Sequence, residues 1–437
     1  MVDRSDRWFL TCTTAVALVV LVLATGVALG AGDGVGPVRE ISRCPGQNTE
    51  VEEATDPIGT YVYEAWIGCN GIGFARSTDG GRHFGRAVRV RGSGPGSWDP
   101  ALTVAPNGAV YAAFMVAKRS RTFPVVLASF DHGARFPRMT ALVGPRKNNW
   151  GDRDFIAAGP GNTVYLTWDY GPYGRAIKLR CPKGGSCGFR AGDLNIVLQA
   201  STDGGRTFGP MTHVTAGYPA GGADMAPLVV EPSGRIDVLY QRYRVSGKAY
   251  TLGVGHSYFT ASTDGGHRWA RPVEVGGAAG TMSPSDWWID GAIAIDAGGN
   301  LYATWDTQSR RHDTGWLAYS TDHGVRWSAP VRVTPDAARV PHIVQSAGGP
   351  DGVAYVGWLT DQPHTGYAEY LRTFSIARGW LGPPRRISRQ FGRPQLWPGD
   401  TFGISTLAPN QVVLSWGSAL PSTAGNSEIF AASVRVR

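Results

Sequence analysis

One eight-residue pattern, S-x-D-x-G-x-x-[FW], occurs five times in this chain of 437 residues. The Asp carboxylate of such a stretch can accept hydrogen bonds from turn amides, and its glycine supplies a positive φ. Each copy therefore predicts a hairpin turn whose last, aromatic residue enters a core. We expect a structural role for the five aspartates, which are Asp79, Asp131, Asp203, Asp264 and Asp322.

Each copy belongs to a longer repeat of about 50 to 70 residues. An aromatic-rich second strand recurs seven times, at 61–66, 109–115, 164–168, 236–240, 301–305, 353–358 and 412–416. The 60 glycines and 29 prolines suit many short strands and turns. Seven four-stranded units predict an all-β chain folded as a seven-bladed β-propeller, with six blades and one irregular unit as the alternative.

The ends of the chain indicate how the ring closes. The last unit lacks a fourth strand, because the chain stops soon after residues 428–436. Residues 36–41 (GPVREI) are similar to the fourth strands predicted at 271–275 and 329–333. We therefore expect the N-terminal and C-terminal strands to pair, within one propeller domain that spans residues 33–437.

Residues 1–32 precede this domain and are typical of an export signal. Arg4 and Arg7 come before an apolar run at 15–31 that ends in small residues. The segment is either cleaved or retained as a membrane anchor, which predicts a secreted or cell-surface protein. Four cysteines follow it, and an even number in an exported chain predicts two disulfides, Cys181 with Cys187 and Cys44 with Cys69.

The net charge and the spacing of possible metal ligands limit the partners and cofactors that the sequence predicts. The net charge is +8, but the basic residues are scattered, so we do not expect nucleic-acid binding. No histidine pair has metal-ligand spacing, and no D-x-D-x-D-G loop is present, so no zinc or cofactor is predicted and calcium has no motif behind it. We expect a monomer that contacts a membrane only through residues 1–32, if that segment is not cleaved.

The starts of the inner strands form the candidate binding face. Strand order places them on the face opposite the eight-residue turns, together with the variable loops. The sixth strand begins with His342, whereas the others begin with carboxylates, several of them beside tryptophan. The candidate ligand-binding residues are Glu50, Trp98, Asp99, Trp150, Asp152, Arg153, Asp224, Asp286, Trp287, Trp397 and Asp400.

Carboxylates beside flat aromatic rings suit sugars, because hydroxyl groups donate to the carboxylates and the apolar ring faces stack. Paired carboxylates also suit glycoside hydrolysis. The alternative is structural, in which the acids cap strand amides and the tryptophans fill space between blades.

The five turns resemble the Asp-boxes, or bacterial neuraminidase repeats, of the sialidase superfamily. The order of repeats over residues 48–437 resembles exported bacterial members of that group. The resemblance implies recognition of a glycan or another extracellular polymer. It also implies, as alternatives, an active glycoside hydrolase of the exo-sialidase type or a non-catalytic protein-interaction scaffold.

The sialidases add an R-I-P motif, an arginine triad, an aspartate acid and a Tyr–Glu pair. This sequence has no R-I-P motif, and its first inner strand begins N-T-E-V. The candidates for the remaining catalytic roles are Asp99, Asp152, Arg153, Tyr370 and Arg372.

Overall fold

The computed structural model describes residues 34–172, 194–215, 221–246, 251–252, 255–282, 291–307, 314–334, 340–362, 366–389, 399–423 and 425–436. In this part of the chain, antiparallel strands form seven sheets, which are the blades of a β-propeller. The predicted all-β, seven-bladed fold is confirmed, and the six-bladed alternative is wrong. Within the same residues, no helix has the length and apolarity needed to cross a membrane.

The first strands of neighbouring blades contact one another and so form the inner wall of the ring. Blades 1 to 3 have the following strands. Blade 1 comprises Thr49–Thr55, Val62–Gly68, Gly71–Ser77 and Val88–Arg89; blade 2 comprises Ser97–Val104, Val110–Lys118, Arg121–Ser129 and Arg138–Ala141; blade 3 comprises Asn149–Trp150, Phe155–Ala158, Val164–Pro172, Asn195–Ser201 and Thr212–His213.

Blades 4 to 7 repeat this order, with short extra strands in blades 4 and 6 and the short 3-10 helices Gly277–Gly280 and Pro421–Thr423. Blade 4 comprises Gly221–Asp224, Leu228–Val230, Ile236–Ser246, Thr251–Leu252, Gly255–Ser262, Val273–Val275 and Thr281–Met282; blade 5 comprises Ala292–Ile295, Leu301–Thr307, Thr314–Ser320 and Val331–Arg332; blade 6 comprises Val340–Gly348, Val353–Gln362, Gly366–Ser375, Gly379–Trp380 and Arg385–Arg386; blade 7 comprises Gly403–Ala408, Gln411–Ser418, Glu428–Arg435 and, from the N-terminal end, Arg39–Glu40.

The ring closes by pairing its two ends, as predicted. Arg39 lies opposite Ala431 and Glu40 opposite Phe430, in antiparallel register. One of the two predicted disulfides, Cys44–Cys69, ties the segment after the closing strand to the turn between the second and third strands of blade 1. The other pair, Cys181 and Cys187, lies outside the described residues.

The turns of the eight-residue pattern, which we call box turns, have the hydrogen bonds that their residue types predict. In the third box, Ser201 Oγ donates to Asp203 Oδ1 over 2.9 Å, and the amide of Thr207 donates to the same oxygen over 2.9 Å. The amide of Gly204 donates to the carbonyl of Asn162, in the turn between the first and second strands, over 2.9 Å. The box turn and that turn therefore lie on the same face of the blade, opposite the starts of the inner strands.

Arginine side chains of one blade donate hydrogen bonds to main-chain carbonyls in the box turn of the next blade. Arg138 of blade 2 donates to the carbonyl of Gly204 in the box of blade 3 over 2.9 Å, and Arg235 of blade 4 donates to His323 in the box of blade 5 over 2.6 Å. At the closing seam, Arg39 donates to the carbonyl of Arg82 over 3.1 Å. These bonds satisfy turn carbonyls that the box itself leaves unpaired.

Tryptophans of the second strands fill the space between blades. Trp66, Trp168, Trp305 and Trp358 are at most 1% exposed. Because such a side chain removes a large apolar area from water, these contacts supply much of the stabilisation between blades.

Candidate functional site

The inner strands share an irregularity at the predicted binding face. One non-glycine residue with φ near +50° interrupts the inner strand in five blades, at Glu50, Asp99, Arg153, Met225 and Ile343. In blades 1, 2 and 6, the strand pairing shifts register at this residue, which is a β-bulge. Bulges re-aim side chains, and left-handed non-glycine residues are costly, so both features concentrate at functional sites.

Arg153 joins three blades at this position. Its guanidinium donates a short hydrogen bond to the carboxylate of Asp400 in blade 7, a residue 247 positions away in the chain. Its main-chain amide donates to Asp99 Oδ2 in blade 2 over 2.9 Å. Predicted site residues from blades 2, 3 and 7 therefore meet, and we call this region the mouth of the ring.

Blade 1 adds Glu50 to the mouth. Gly399, with φ of +105°, packs so closely that a Cβ atom there would lie 2.4 Å from the amide nitrogen of Glu50. This contact brings Asp400 beside Glu50. Burial, together with the charges of Asp400 and Asp99, raises the pKa of Glu50 well above its ordinary value.

Asp99 and Asp152 form a second carboxyl pair. Burial raises the pKa of both, and for Asp152 the charge of Asp99 raises it further. The charge of Arg153 acts in the opposite direction on both groups. Such a pair holds one proton between two acids, so that one member can donate while the other accepts.

An aromatic pair borders these carboxyls. The rings of Trp98 and Trp150 stack with centroids 6.2 Å apart and planes inclined by 21°, and both residues are half-buried. The Trp98 indole donates to Asp152 Oδ1 over 2.5 Å. The segment that carries Trp150 is tied to blade 2, because the side chain of Asn149 donates to the Thr122 carbonyl over 2.7 Å.

Three further acids in this region were missed at the level of sequence. Burial and the charges of Asp99 and Glu53 raise the pKa of Glu52 to about 8. Asp154 is 3% exposed, and its carboxyl group accepts no hydrogen bond from another residue.

The third missed acid, Asp169, is fully buried on the second strand of blade 3. Burial and the neighbouring carboxyl of the predicted residue Asp224 raise its pKa well above the ordinary value. The only available signal for these three acids was their sequence proximity to Glu50, Arg153 and Trp168.

Tyr370 and Arg372, which were predicted as catalytic candidates, do not lie with Arg153 at the mouth. Tyr370 is 5% exposed and stacks on Trp358 in the core between blades 5 and 6. Arg372 donates to the carbonyls of Gly382 and Val333 over 2.9 Å and 3.0 Å.

Glu369, the neighbour of Tyr370, lies near Gly357 and the ring of Phe402, on the side of blade 7. Successive strand residues point to opposite faces, so Glu369 and Tyr370 do not meet. In the described part of the chain, no arginine triad assembles around Arg153 with Arg372.

Several predicted positions lie outside the described residues, namely Asp286, Trp287 and Trp397. Across the described ranges, no group of three or more His, Cys, Asp or Glu residues has a geometry suited to a metal ion.

No protein-family model and no curated protein matches this sequence. Solved structures with a similar fold do exist. An ulvan lyase of a polysaccharide lyase family has a TM-score of 0.57 at 12% identity, over 91% of this chain and 96% of that one.

A protein of unknown function from Dyadobacter fermentans has a TM-score of 0.53 at 15% identity, over 92% of this chain and 99% of that one. A variant of NanB sialidase from Streptococcus pneumoniae has a TM-score of 0.50 at 9% identity, over 86% and 83% of the two chains. At these identities, the likeness shows the fold alone. The proteins that share this propeller fold include a sialidase and a polysaccharide lyase.

Proposed function

We propose that this protein is an exported carbohydrate-recognising propeller that binds a glycan or another cell-surface polymer at the mouth of the ring. The observation that carries the proposal is the stacked pair Trp98 and Trp150 beside the carboxyls of Asp99 and Asp152. Sugar rings present apolar faces to aromatic side chains and hydroxyl donors to carboxylates, so this pairing matches both parts of a sugar.

The mouth is also built on rigid elements. Trp98 lies on the inner strand of blade 2 and is oriented by its bond to Asp152 Oδ1. Because its rotamer is set before a ligand arrives, little side-chain entropy is lost on binding. The similar folds of carbohydrate-active proteins support this assignment at a coarse level.

Export is part of the proposal. Residues 1–32 have the charge and apolar pattern of an export signal or anchor. The Cys44–Cys69 disulfide supports an oxidising compartment. We place the protein outside the cell or at its surface.

A binding measurement tests the proposal. Wild-type protein is screened against immobilised glycans and polysaccharides, and Trp98→Ala is compared with it. We expect Trp98→Ala to bind at least about tenfold more weakly, a loss of about 1.4 kcal/mol. Trp380→Ala is the matched control, because Trp380 packs against Arg372 in blade 6. Equal binding by wild type and Trp98→Ala would show that the Trp98–Trp150 pair does not bind the glycan.

Glycoside hydrolysis is a second candidate function, favoured by the Asp99–Asp152 pair. A carboxyl whose pKa is raised can act as a general acid, and Asp152, whose pKa burial and the charge of Asp99 raise, is the member that suits this role. We expect Asp99→Asn with Asp152→Asn to lower any release of a fluorogenic leaving group from glycosides by at least about 100-fold. Turnover that survives this double substitution would assign the activity to other groups.

A further inference from the structure

The charge balance of the mouth differs from that of the whole chain. The chain carries a formal net charge of +8. Among the described residues of the mouth, by contrast, six carboxyl groups lie near one another, and Arg153 supplies a guanidinium that pairs with one of them. The six belong to Glu50, Glu52, Asp99, Asp152, Asp154 and Asp400.

Arg153 is already engaged by two of these acids. Its guanidinium pairs with Asp400, and its main-chain amide donates to Asp99. A sugar carboxylate that approached Arg153 would compete with Asp400 for the guanidinium. It would also add a negative charge beside Glu50 and Asp99 and so disfavour their ionisation further.

Asp154 indicates that a positive charge would be favourable at the mouth. Its carboxyl group is buried and accepts no hydrogen bond from another residue. The charges of Asp99, Asp152 and Glu52 all disfavour its ionisation. A buried acid in this position either keeps a proton or requires a nearby cation, because an unpaired buried charge is costly.

We infer that the glycan bound at the mouth carries free ammonium groups, as in a polymer of de-acetylated hexosamine. The inference rests on the proposed function and adds the charge class of the ligand. An ammonium group has three donors and no acceptor, which suits crowded carboxyls. Its charge favours ionisation of these acids, so binding releases protons from the mouth.

The test uses three hexasaccharides of equal length and different charge: hexaglucosamine, its fully N-acetylated form and hexagalacturonate. Binding is measured by titration calorimetry at pH 6 with EDTA present, which excludes a metal-bridged complex. We expect hexaglucosamine to bind at least about tenfold more tightly than the acetylated form. Titration in two buffers of different ionisation enthalpy is expected to show proton release.

Asp154→Asn is the diagnostic variant, because it keeps the volume and removes the charge. We expect it to weaken hexaglucosamine binding at least about fivefold and to weaken binding of the acetylated form by a smaller factor. Glu274→Gln, at an exposed acid of blade 4, is the matched control and is expected to change neither. Thermal melting at pH 6 shows whether each variant is folded.

The outcomes separate the inference from the proposed function. If the acetylated form or hexagalacturonate binds as tightly as hexaglucosamine, the ammonium inference is overturned and recognition of a sugar at the mouth stands. If none of the three binds while another glycan does so in a Trp98-dependent way, the inference is again overturned alone. If no glycan binds in the wider screen, both fail.

Discussion

Arg153 is held at the mouth by its side chain and by its main chain. Its guanidinium pairs with Asp400, and the two side chains are 9% and 11% exposed. Its φ of +50° places the amide nitrogen where it donates to Asp99. A single residue thereby compensates carboxylates of two other blades, and no sequence neighbour of Arg153 duplicates this role.

The first prediction concerns this ion pair. Replacing Arg153 by Met leaves buried carboxylates without their cation, so we expect a loss of about 3 kcal/mol in the free energy of unfolding at pH 7. The loss is expected to be smaller at pH 5 than at pH 7, because Glu50 and Asp99, whose pKa values burial raises, are then less ionised. Denaturant titrations at both pH values measure it.

Arg135→Met provides the control for that measurement. Arg135 also pairs with an aspartate, Asp131, but its side chain is 85% exposed. We expect a change below about 1 kcal/mol, as for other exposed pairs. Equal losses in the two variants would mean that Arg153 has no special role in the mouth.

At the scale of the element, two features of blade 1 follow from strand pairing. The box turn is closed by its serine and aspartate, with the box serine opposite the first residue of the second strand. On the inner hairpin, Glu53 lies directly opposite Glu64, and the two residues are 8% and 0% exposed. Two buried acids that face each other resist ionisation, because burial disfavours the charged form and the charge of one acid disfavours ionisation of the other.

The second prediction concerns the box turn. Asp203 accepts hydrogen bonds from the amides of Arg206 and Thr207 over 3.0 Å and 2.9 Å. Asp203→Ala removes these acceptors, so we expect a lower melting temperature with glycan affinity unchanged. Asp203→Asn, which keeps one acceptor, is expected to lose less. A selective loss of glycan binding at unchanged melting temperature would place the binding site on the box face.

The third prediction concerns the Glu53–Glu64 pair. Burial raises the pKa of Glu53 to about 7, and burial with the charge of Glu53 raises the pKa of Glu64 well above its ordinary value. Below the ordinary carboxyl pKa, Glu53 and Glu64 are protonated in both the folded and the unfolded state. The fold then has the full stability that the protonated pair allows. As the pH rises to about 8, the unfolded state ionises first, so the stability of the fold decreases.

We therefore expect the wild-type protein to melt at a higher temperature at pH 5 than at pH 8. Glu64→Gln removes one ionisable group of the pair, so its melting temperature is expected to fall less over the same interval. Glu274→Gln, at an exposed site, is expected to behave as wild type. A wild-type melting temperature that rises from pH 5 to pH 8 would contradict this account.

At the scale of the whole molecule, the ring depends on contacts between its two ends. The closing strand Arg39–Glu40 pairs over two residues. The carboxylate of Glu428 then accepts a hydrogen bond from the side chain of Asn48 over 2.9 Å, which ties blade 7 to the start of blade 1. Because the closing strand is short, the covalent link just after it contributes to keeping the ring shut.

The fourth prediction concerns that link. The Cys44–Cys69 disulfide closes a loop with a sequence separation of 25 residues. We expect Cys44→Ser with Cys69→Ser to lower the free energy of unfolding by about 3 kcal/mol. Limited proteolysis is expected to cut the segment at residues 34–43 faster in this variant than in wild type. Equal stability and equal cleavage would show that strand pairing alone holds the ring closed.

Much of the fold could be predicted from local patterns. The box turns, the recurring second strands and the similarity of residues 36–41 to other fourth strands are properties of short segments. Strand pairing then determines the sheet, because alternate residues must face opposite sides. The acids at the inner-strand starts could be identified in the same way, as could the pair Cys44 and Cys69.

The sequence by itself therefore determined the repeat, the seven blades and the closure of the ring, since each depends on residues close together in the chain. Only the tertiary structure decided that Arg153 reaches Asp400 across 247 positions and that Tyr370 packs in the core between blades 5 and 6 and not at the mouth. The physical reason is that side-chain direction at the mouth depends on bulges with positive φ. The packing of one blade against the next sets those bulges, and no local pattern records it.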